Sequence, residues 1–187
     1  MPSNRSRPRQ GAAPSDQRAA DQVQHKPAAD ISAGIAAEHA TVGALILAAS
    51  SVQDEALAIV QDDDFADPRC RFTMMVVRRM RSEGQPVDAL LLLGYVNRYG
   101  LLDGGAPRVN LGSWLAEIAS TAPFPASAPW YAEVVVEAAA RRTAEYAGGR
   151  ITAAAHGDSL ADLLAIVTDE LAAVTAAISR VGGGVNV

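Results

Sequence analysis

The sequence predicts an all-α protein, a small helical head followed by an antiparallel helical hairpin. Three observations predict it. Of the 187 residues 49% are hydrophobic but only 5% are aromatic, and alanine supplies much of the apolar fraction. Alanine is the strongest helix former, and its small side chain lets helices approach closely. Apolar residues recur at three- and four-residue spacing, whereas Val-, Ile- and aromatic-rich runs that would pair as strands are scarce. Helix signals also punctuate the chain, with Asp-Pro and Ser-x-x-Asp at starts and Gly or Pro at ends.

Residues 1–30 carry Arg5, Arg7 and Arg9 with no acid in the first ten positions, and Val23 is their only large aliphatic beyond Met1. Such a segment cannot bury enough apolar surface to offset its chain entropy, so it is expected to be a disordered basic arm.

The head is expected over residues 31–124. Its first helix runs from Ile35 to Leu47, with Ile35, Val42, Leu45 and Ile46 on one face. The second begins at Ser51, which with Asp54 matches a capping box, and turns Leu57 and Val60 inward. Asp62, Asp63 and Asp64 read as a solvated loop rather than a site for a metal or basic partner, because three adjacent carboxylates lack the geometry of a calcium loop. Asp67 caps the next helix and Pro68 takes its first position, where a missing N–H costs nothing. Phe72, Met75, Val76 and Met80 follow, and Gly84 and Pro86 stop it. Asp88 caps a helix bearing Leu91, Leu92, Tyr95, Val96 and Tyr99, which Gly100 ends. After a loop at Gly104, Gly105 and Pro107, a short helix holds Leu111, Trp114, Leu115 and Ile118. Pro123 and Pro125 then break the chain.

The hairpin is expected over residues 127–181. Ser127 and Pro129 open a long helix with Trp130, Tyr131, Val134, Val135 and Ala138, which Gly148 and Gly149 should weaken or bend. Gly157 and Asp158 form the turn. Ser159 and Asp162 form a second capping box, and the last helix carries Leu160, Leu163, Leu164, Val167, Leu171, Val174 and Ile178. Residues 182–187 form a flexible tail. Helices joined by a short turn fold back antiparallel, and such a hairpin must cover its second apolar face with the head or with another copy. Leu163, Val167, Leu171 and Val174 form the expected self-association stripe, so a homo-oligomer is expected.

Composition narrows the function classes. A net charge of −5 and a pI near 5.1 leave no global field to draw the protein to nucleic acid or an anionic membrane. The single cysteine, Cys70, cannot form an intrachain disulfide and suits a reducing cytoplasm, where the protein is expected. No apolar run has the length of a membrane span, and no apolar stretch follows the N-terminal basic residues as in a secretion signal. The pattern GxxxxGK[ST] does not occur, so there is no P-loop. His25, His39 and His156 lie far apart, and Cys70 has no Cys or His at metal-ligand spacing. No catalytic, cofactor or metal site is therefore predicted, and Cys70 reads as a small buried side chain. The remaining candidates are contact residues. Arg78, Arg79 and Arg81 cluster on one helix and suit phosphate or an acidic partner, although an ordinary solvated face explains them better; the same holds for Arg141 and Arg142. Trp130 and Tyr131 read equally as a partner anchor or as packing on the head.

Taken together, the motifs resemble a known family. Ile35–Leu47, IAAEHATVGALIL, is similar to the opening helix of the N-terminal domain of DnaB-type replicative helicases. Glu38, Gly43, Ala44 and Leu45 stand where that helix has an acidic residue before a Leu-Gly-Ala-Leu run. Asp64 and Phe65 followed by Pro68 resemble the Asp-Phe-Tyr-x-Pro segment, and Gly84-Gln85-Pro86-Val87-Asp88 resembles the Gly-x-Pro-Ile-Asp turn. Gly100-Leu101-Leu102 with Gly104 and Gly105, then Trp114–Ile118, then Thr121, Pro123, Tyr131 and Ala132, follow in the family's order. Ala66, Cys70 and Ser127 depart from the usual aromatic, His and Asn, Gly148 and Gly149 interrupt a helix that the family keeps unbroken, and the chain stops where the linker to the ATPase domain would begin. The resemblance spans residues 35–181. It implies a head and hairpin whose copies pair through hairpins into a collar, as a dimer or trimer of dimers, without ATPase or unwinding activity in this chain. It also implies a non-catalytic role in DNA replication, binding a replicative helicase, a primase or a helicase loader. A small DNA-binding regulator using the N-terminal arm and the Arg78–Arg81 cluster is the alternative class.

Overall fold

Seven α-helices and two short 3-10 turns make up the described residues of the computed structural model, 26–102, 110–157 and 159–181, with no strand among them. Helix α1 spans Lys26–Leu47, α2 Ser50–Ile59, α3 Pro68–Ser82, α4 Ala89–Arg98, α5 Leu111–Ser120, α6 Ala128–Gly157 and α7 Leu160–Val181. The 3-10 turns are Asp62–Asp64 and Pro125–Ser127. None of these helices is long and apolar enough to cross a membrane.

Local chemistry sets most boundaries. The Asp67 carboxylate accepts from the Arg69 amide with Pro68 at the first helical position, and Asp88 accepts from the Leu90 and Leu91 amides. Both C-terminal stops are Schellman turns. Gly84 at φ 70° lets the Gln85 amide reach the Met80 carbonyl, and Gly100 at φ 59° lets Leu101 reach Val96. At the start of α7 the Ser159 hydroxyl accepts from the Asp162 amide, as expected.

Three expectations change. Helix α1 begins at Lys26 rather than Ile35, so residues 26–30 belong to it and not to the arm; residues 1–25 and 182–187 lie outside those described. Ala28, Ala29 and Ala33 are strong helix formers, and extending an existing helix costs far less than nucleating one. The Ser51–Asp54 box does not form. Ala49 is the N-cap of α2 without a side-chain bond, and Asp54 instead takes a bidentate grip from Arg81. Finally, α6 runs unbroken through Gly148 and Gly149. Their open sides face no neighbouring atom, so each costs only helix propensity, about 1 kcal/mol, and packing against α7 outweighs it.

The core packs α1 and α2 on the first half of α6, α3 and α5 on α1, and α4 on α5, with Phe65, Leu45, Met74, Leu92 and Leu115 fully buried. Ala128, Ala132, Val135 and Val136 of α6 belong to that core, so the long helix serves head and hairpin at once. Helix α1 crosses α5 closely at Gly43, where a Cβ would come within 2.6 Å of the Ile118 carbonyl oxygen and 3.1 Å of the Ala122 Cβ. Gly→Ala inside a helix normally stabilises. Here Gly43→Ala is expected to destabilise by about 1–3 kcal/mol, read by urea denaturation. A gain in stability would show that the crossing has room for a methyl group.

Candidate interaction surfaces

The region between head and hairpin is built from charges contributed by distant parts of the chain. Glu38 of α1 is fully buried. Its carboxylate accepts from the amides of Ala66 and Asp67 at 2.9 and 2.8 Å and lies 3.5 Å from Arg142 Nη1 of α6. It thus satisfies amides at the start of α3 that no helical carbonyl can reach. Arg142 also donates to the Asp64 carbonyl. The Asp64 side chain, buried in turn, takes a bidentate pair from Arg180 at 2.7 and 2.6 Å and accepts from the Gln61 amide at 2.6 Å. The last turn of the hairpin is therefore pinned to the 3-10 turn of the head. The Asp62–Asp64 run is not one solvated loop. Asp62 pairs with Arg78, Asp63 is exposed, and Asp64 is a buried anchor.

Beside this network His39, Asp67 and Cys70 bring their ligand-type atoms within 4.8 Å of one another. The Asp67 carboxylate already accepts from the Arg69 amide, from Arg69 Nε and Nη2, and from His39 Nε2 at 2.9 Å. Burial alone would raise the Asp67 carboxyl. The hydrogen bonds from Arg69 and His39, with the charge of Arg69, outweigh it and hold the group well below the usual carboxylate range. Burial, reinforced by the Asp67 and Glu38 charges, pushes the Cys70 thiol up, which disfavours the thiolate. Trp114 closes the cluster, edge-on to His39 at 5.9 Å with Arg69 over its ring at 5.2 Å.

A depressed carboxyl adds stability that is complete above its ordinary value of 3.8 and is lost as pH falls below that toward the folded-state value. Asp67→Asn keeps a capping oxygen but removes the charge. It is expected to lower stability by about 1–3 kcal/mol near neutral pH, and the gap to wild type should begin to narrow as pH falls below about 4. Urea melts at pH 7 and pH 3 give the answer. A gap independent of pH would refute the charge-based account.

The expected contact residues are placed as follows. Arg78, Arg79 and Arg81 do not form a free cationic face. Arg78 donates to Asp62 and to the carbonyls of Leu57 and Val60, Arg79 pairs with Glu83, and Arg81 pairs with Asp54. Arg141 pairs with Glu137. Trp130 is 59% exposed and meets the half-buried Tyr131 edge-on at 4.8 Å. The expected self-association stripe is unevenly covered in the single chain. Leu163, Val167 and Val174 are half-buried, whereas Leu171 is 64% exposed. The more exposed apolar face is Leu160, Leu164, Leu171 and Ile178, and three of these, Leu160, Leu164 and Ile178, lay outside the expected set. With Val167, Val174 and Val181 they complete steps of alternately four and three residues along the whole helix, the repeat of a coiled-coil seam. Helix α7 contributes one buried residue, Glu170, which pairs across the hairpin with Arg150 at 2.8 Å.

A family model described as the DnaB-like helicase N terminal domain matches residues 31–137. The replicative DNA helicase DnaB of Mycobacterium leprae (strain TN) is 30% identical over 136 residues, which cover 70% of this chain and 21% of the helicase. That of Leifsonia xyli subsp. xyli (strain CTCB07) is 30% identical over 116 residues, 62% of this chain and 24% of the helicase. The chain therefore spans between a fifth and a quarter of the length of these curated relatives. Among solved structures, the N-terminal domain of DnaB helicase from Mycobacterium tuberculosis superposes with a TM-score of 0.64 at 26% identity, covering 73% of this chain and 94% of that one.

Proposed function

The chain belongs to the DnaB-like helicase N-terminal domain family, and from that premise we propose that it is a module that self-associates through its hairpin and binds other replication proteins, namely a replicative helicase, a primase or a helicase loader. The matched domain is the non-catalytic part of the helicase, and no P-loop pattern occurs in this sequence. A role in DNA replication follows from the family.

The observation that carries the self-association reading is the outer face of α7. Leu160, Leu164, Leu171 and Ile178 lie exposed along one side of the helix, and a stripe of that length facing water favours a second apolar surface. A copy of the same hairpin offers one of matching length and spacing, which favours a dimer or a trimer of dimers built on two-fold contacts. Light scattering after size exclusion tests this, with a dimer or larger assembly expected. A monomer at a concentration of roughly 100 μM, where even a weak interface of Kd ~10 μM would be largely formed, would refute it. Partner binding is tested by pull-down of purified helicase, primase and loader on the immobilised protein. Capture of none of the three removes that half of the proposal.

The alternative of a DNA-binding regulator draws no support from Arg78, Arg79 and Arg81, whose charges are matched by Asp62, Glu83 and Asp54. Its other element, the basic arm, lies outside the described residues apart from residues 26–30.

A further inference from the structure

We propose that a groove on the head, between the α3–α4 turn and α4, docks an acidic peptide segment, seating an aliphatic side chain over Gly94 and a carboxylate on Arg98. Helix α4 has two unlike faces. Leu92 and Val96 are buried in the core, while Leu90, Leu91, Gly94 and Arg98 share the opposite side at helical spacing. Leu90, at 78% exposed, is the most exposed large apolar residue of the head among the described residues. The groove beside it has a volume of about 310 Å³ and is floored by Met80, Pro86 and Tyr95. Gly94 sits mid-helix where a side chain would help the helix, and a Cβ there would meet nothing within 4 Å. The floor is open because this residue has no side chain, not because a neighbour requires a glycine.

The far wall is held by contacts among its own side chains. Tyr95 and Tyr99 lie 4.5 Å apart, Arg79 lies 5.9 and 5.7 Å over their rings, and Arg98 lies 5.8 Å over Tyr99. The Tyr95 hydroxyl donates to Glu83, which also holds Arg79. Rings and guanidinium groups fixed in advance cost little ordering when a peptide arrives.

Charge selects the partner. Every other arginine whose side chain is described lies within ion-pair distance of a carboxylate. Arg98 has no such partner among the described residues, so the rim carries one uncompensated cation next to exposed leucine. One cation beside an apolar floor suits a carboxylate following an aliphatic residue. It suits a polyphosphate backbone poorly, since that needs several cations.

The test is a ¹⁵N–¹H titration of the full chain with the peptide Asp-Leu-Leu-Asp-Phe-Glu, with its counterpart bearing Lys at each acidic position, and with a dT oligonucleotide. Saturable shifts centred on Leu90, Gly94, Arg98 and Tyr99 are expected with the acidic peptide and much weaker ones with the lysine peptide. Gly94→Gln fills the floor with a better helix former, so it should keep or raise the melting temperature while weakening the acidic peptide roughly tenfold. Arg98→Glu should reverse the preference between the two peptides. Absence of shifts at millimolar peptide, equal response to both peptides, an unaltered affinity in Gly94→Gln, or preferential binding of the oligonucleotide at these residues would each overturn the proposal. The groove uses no residue of α7, so a failure of self-association would leave the expected binding unchanged.

Discussion

Glu38→Ala is expected to lower the free energy of unfolding by about 3–5 kcal/mol, read as a shift of the urea midpoint. Glu38 has no exposed surface, so its removal opens a buried gap beside its partners. Truncation leaves the Ala66 and Asp67 amides without an acceptor, and it leaves the Arg142 guanidinium without its carboxylate. A buried donor without a partner costs on the order of 1–3 kcal/mol, and a half-buried cation adds to that. The two amides belong to the segment that aims Asp67 at the first turn of α3, so the damage should spread to the Asp67 cap and its contacts with Arg69 and His39. Glu38→Gln separates shape from charge. It keeps one oxygen for one amide but turns an NH₂ toward the other, donor against donor, and should cost about 1–3 kcal/mol. A loss under about 1 kcal/mol for Glu38→Ala would mean that water or a shifted Arg142 replaces the carboxylate, and the junction would then not be the anchor that its geometry describes.

What was legible in the sequence and what was not follows from distance along the chain. The start at Asp67–Pro68, the cap at Asp88 and the stops at Gly84 and Gly100 are settled within five residues, so local pattern reached them. The same local logic overreached at Ser51 and Asp54, because α2 starts earlier, with Ala49 as its N-cap, and an arginine 27 residues away takes Asp54. Glu38 was visible as an acidic residue within an apolar run, but its partner lies 104 residues on, and the partner of Asp64 lies 116 residues on. No periodicity announces such pairs, and in a single sequence Asp64 looks like its solvated neighbours Asp62 and Asp63. The arginines of α3 posed the reverse problem. Their clustering suggested an outward charge, yet each has an acidic or carbonyl partner supplied by α2, by the 3-10 turn or by its own helix. On α7 apolar residues extend well around the helix, so the sequence showed that the helix must pack but not which side meets α6. That ambiguity is why the expected stripe mixed half-buried Leu163, Val167 and Val174 with exposed Leu171.

The exposure of Leu171 beside half-buried Leu163 makes it a discriminating probe. Leu171→Asp is expected to convert an assembled protein into monomer, weakening association by roughly 100-fold or more, because a carboxylate carried into an apolar seam loses its water without gaining a partner. The side chain is 64% exposed in the single chain, so the same substitution should leave the monomer's stability within about 0.5 kcal/mol and its helical circular dichroism unchanged. Leu163→Asp separates assembly from folding. Leu163 is half-buried, and a charge there should loosen α7 from α6 and lower the melting temperature whatever the protein's assembly state. Loss of assembly in Leu171→Asp with an intact fold assigns the seam to the outer repeat. Loss of assembly only in Leu163→Asp, together with a fall in melting temperature, would assign it to the overall integrity of the hairpin. A wild-type mass equal to that of Leu171→Asp would show that the exposed repeat does not pair copies of this chain, and self-association would no longer be part of the proposed function.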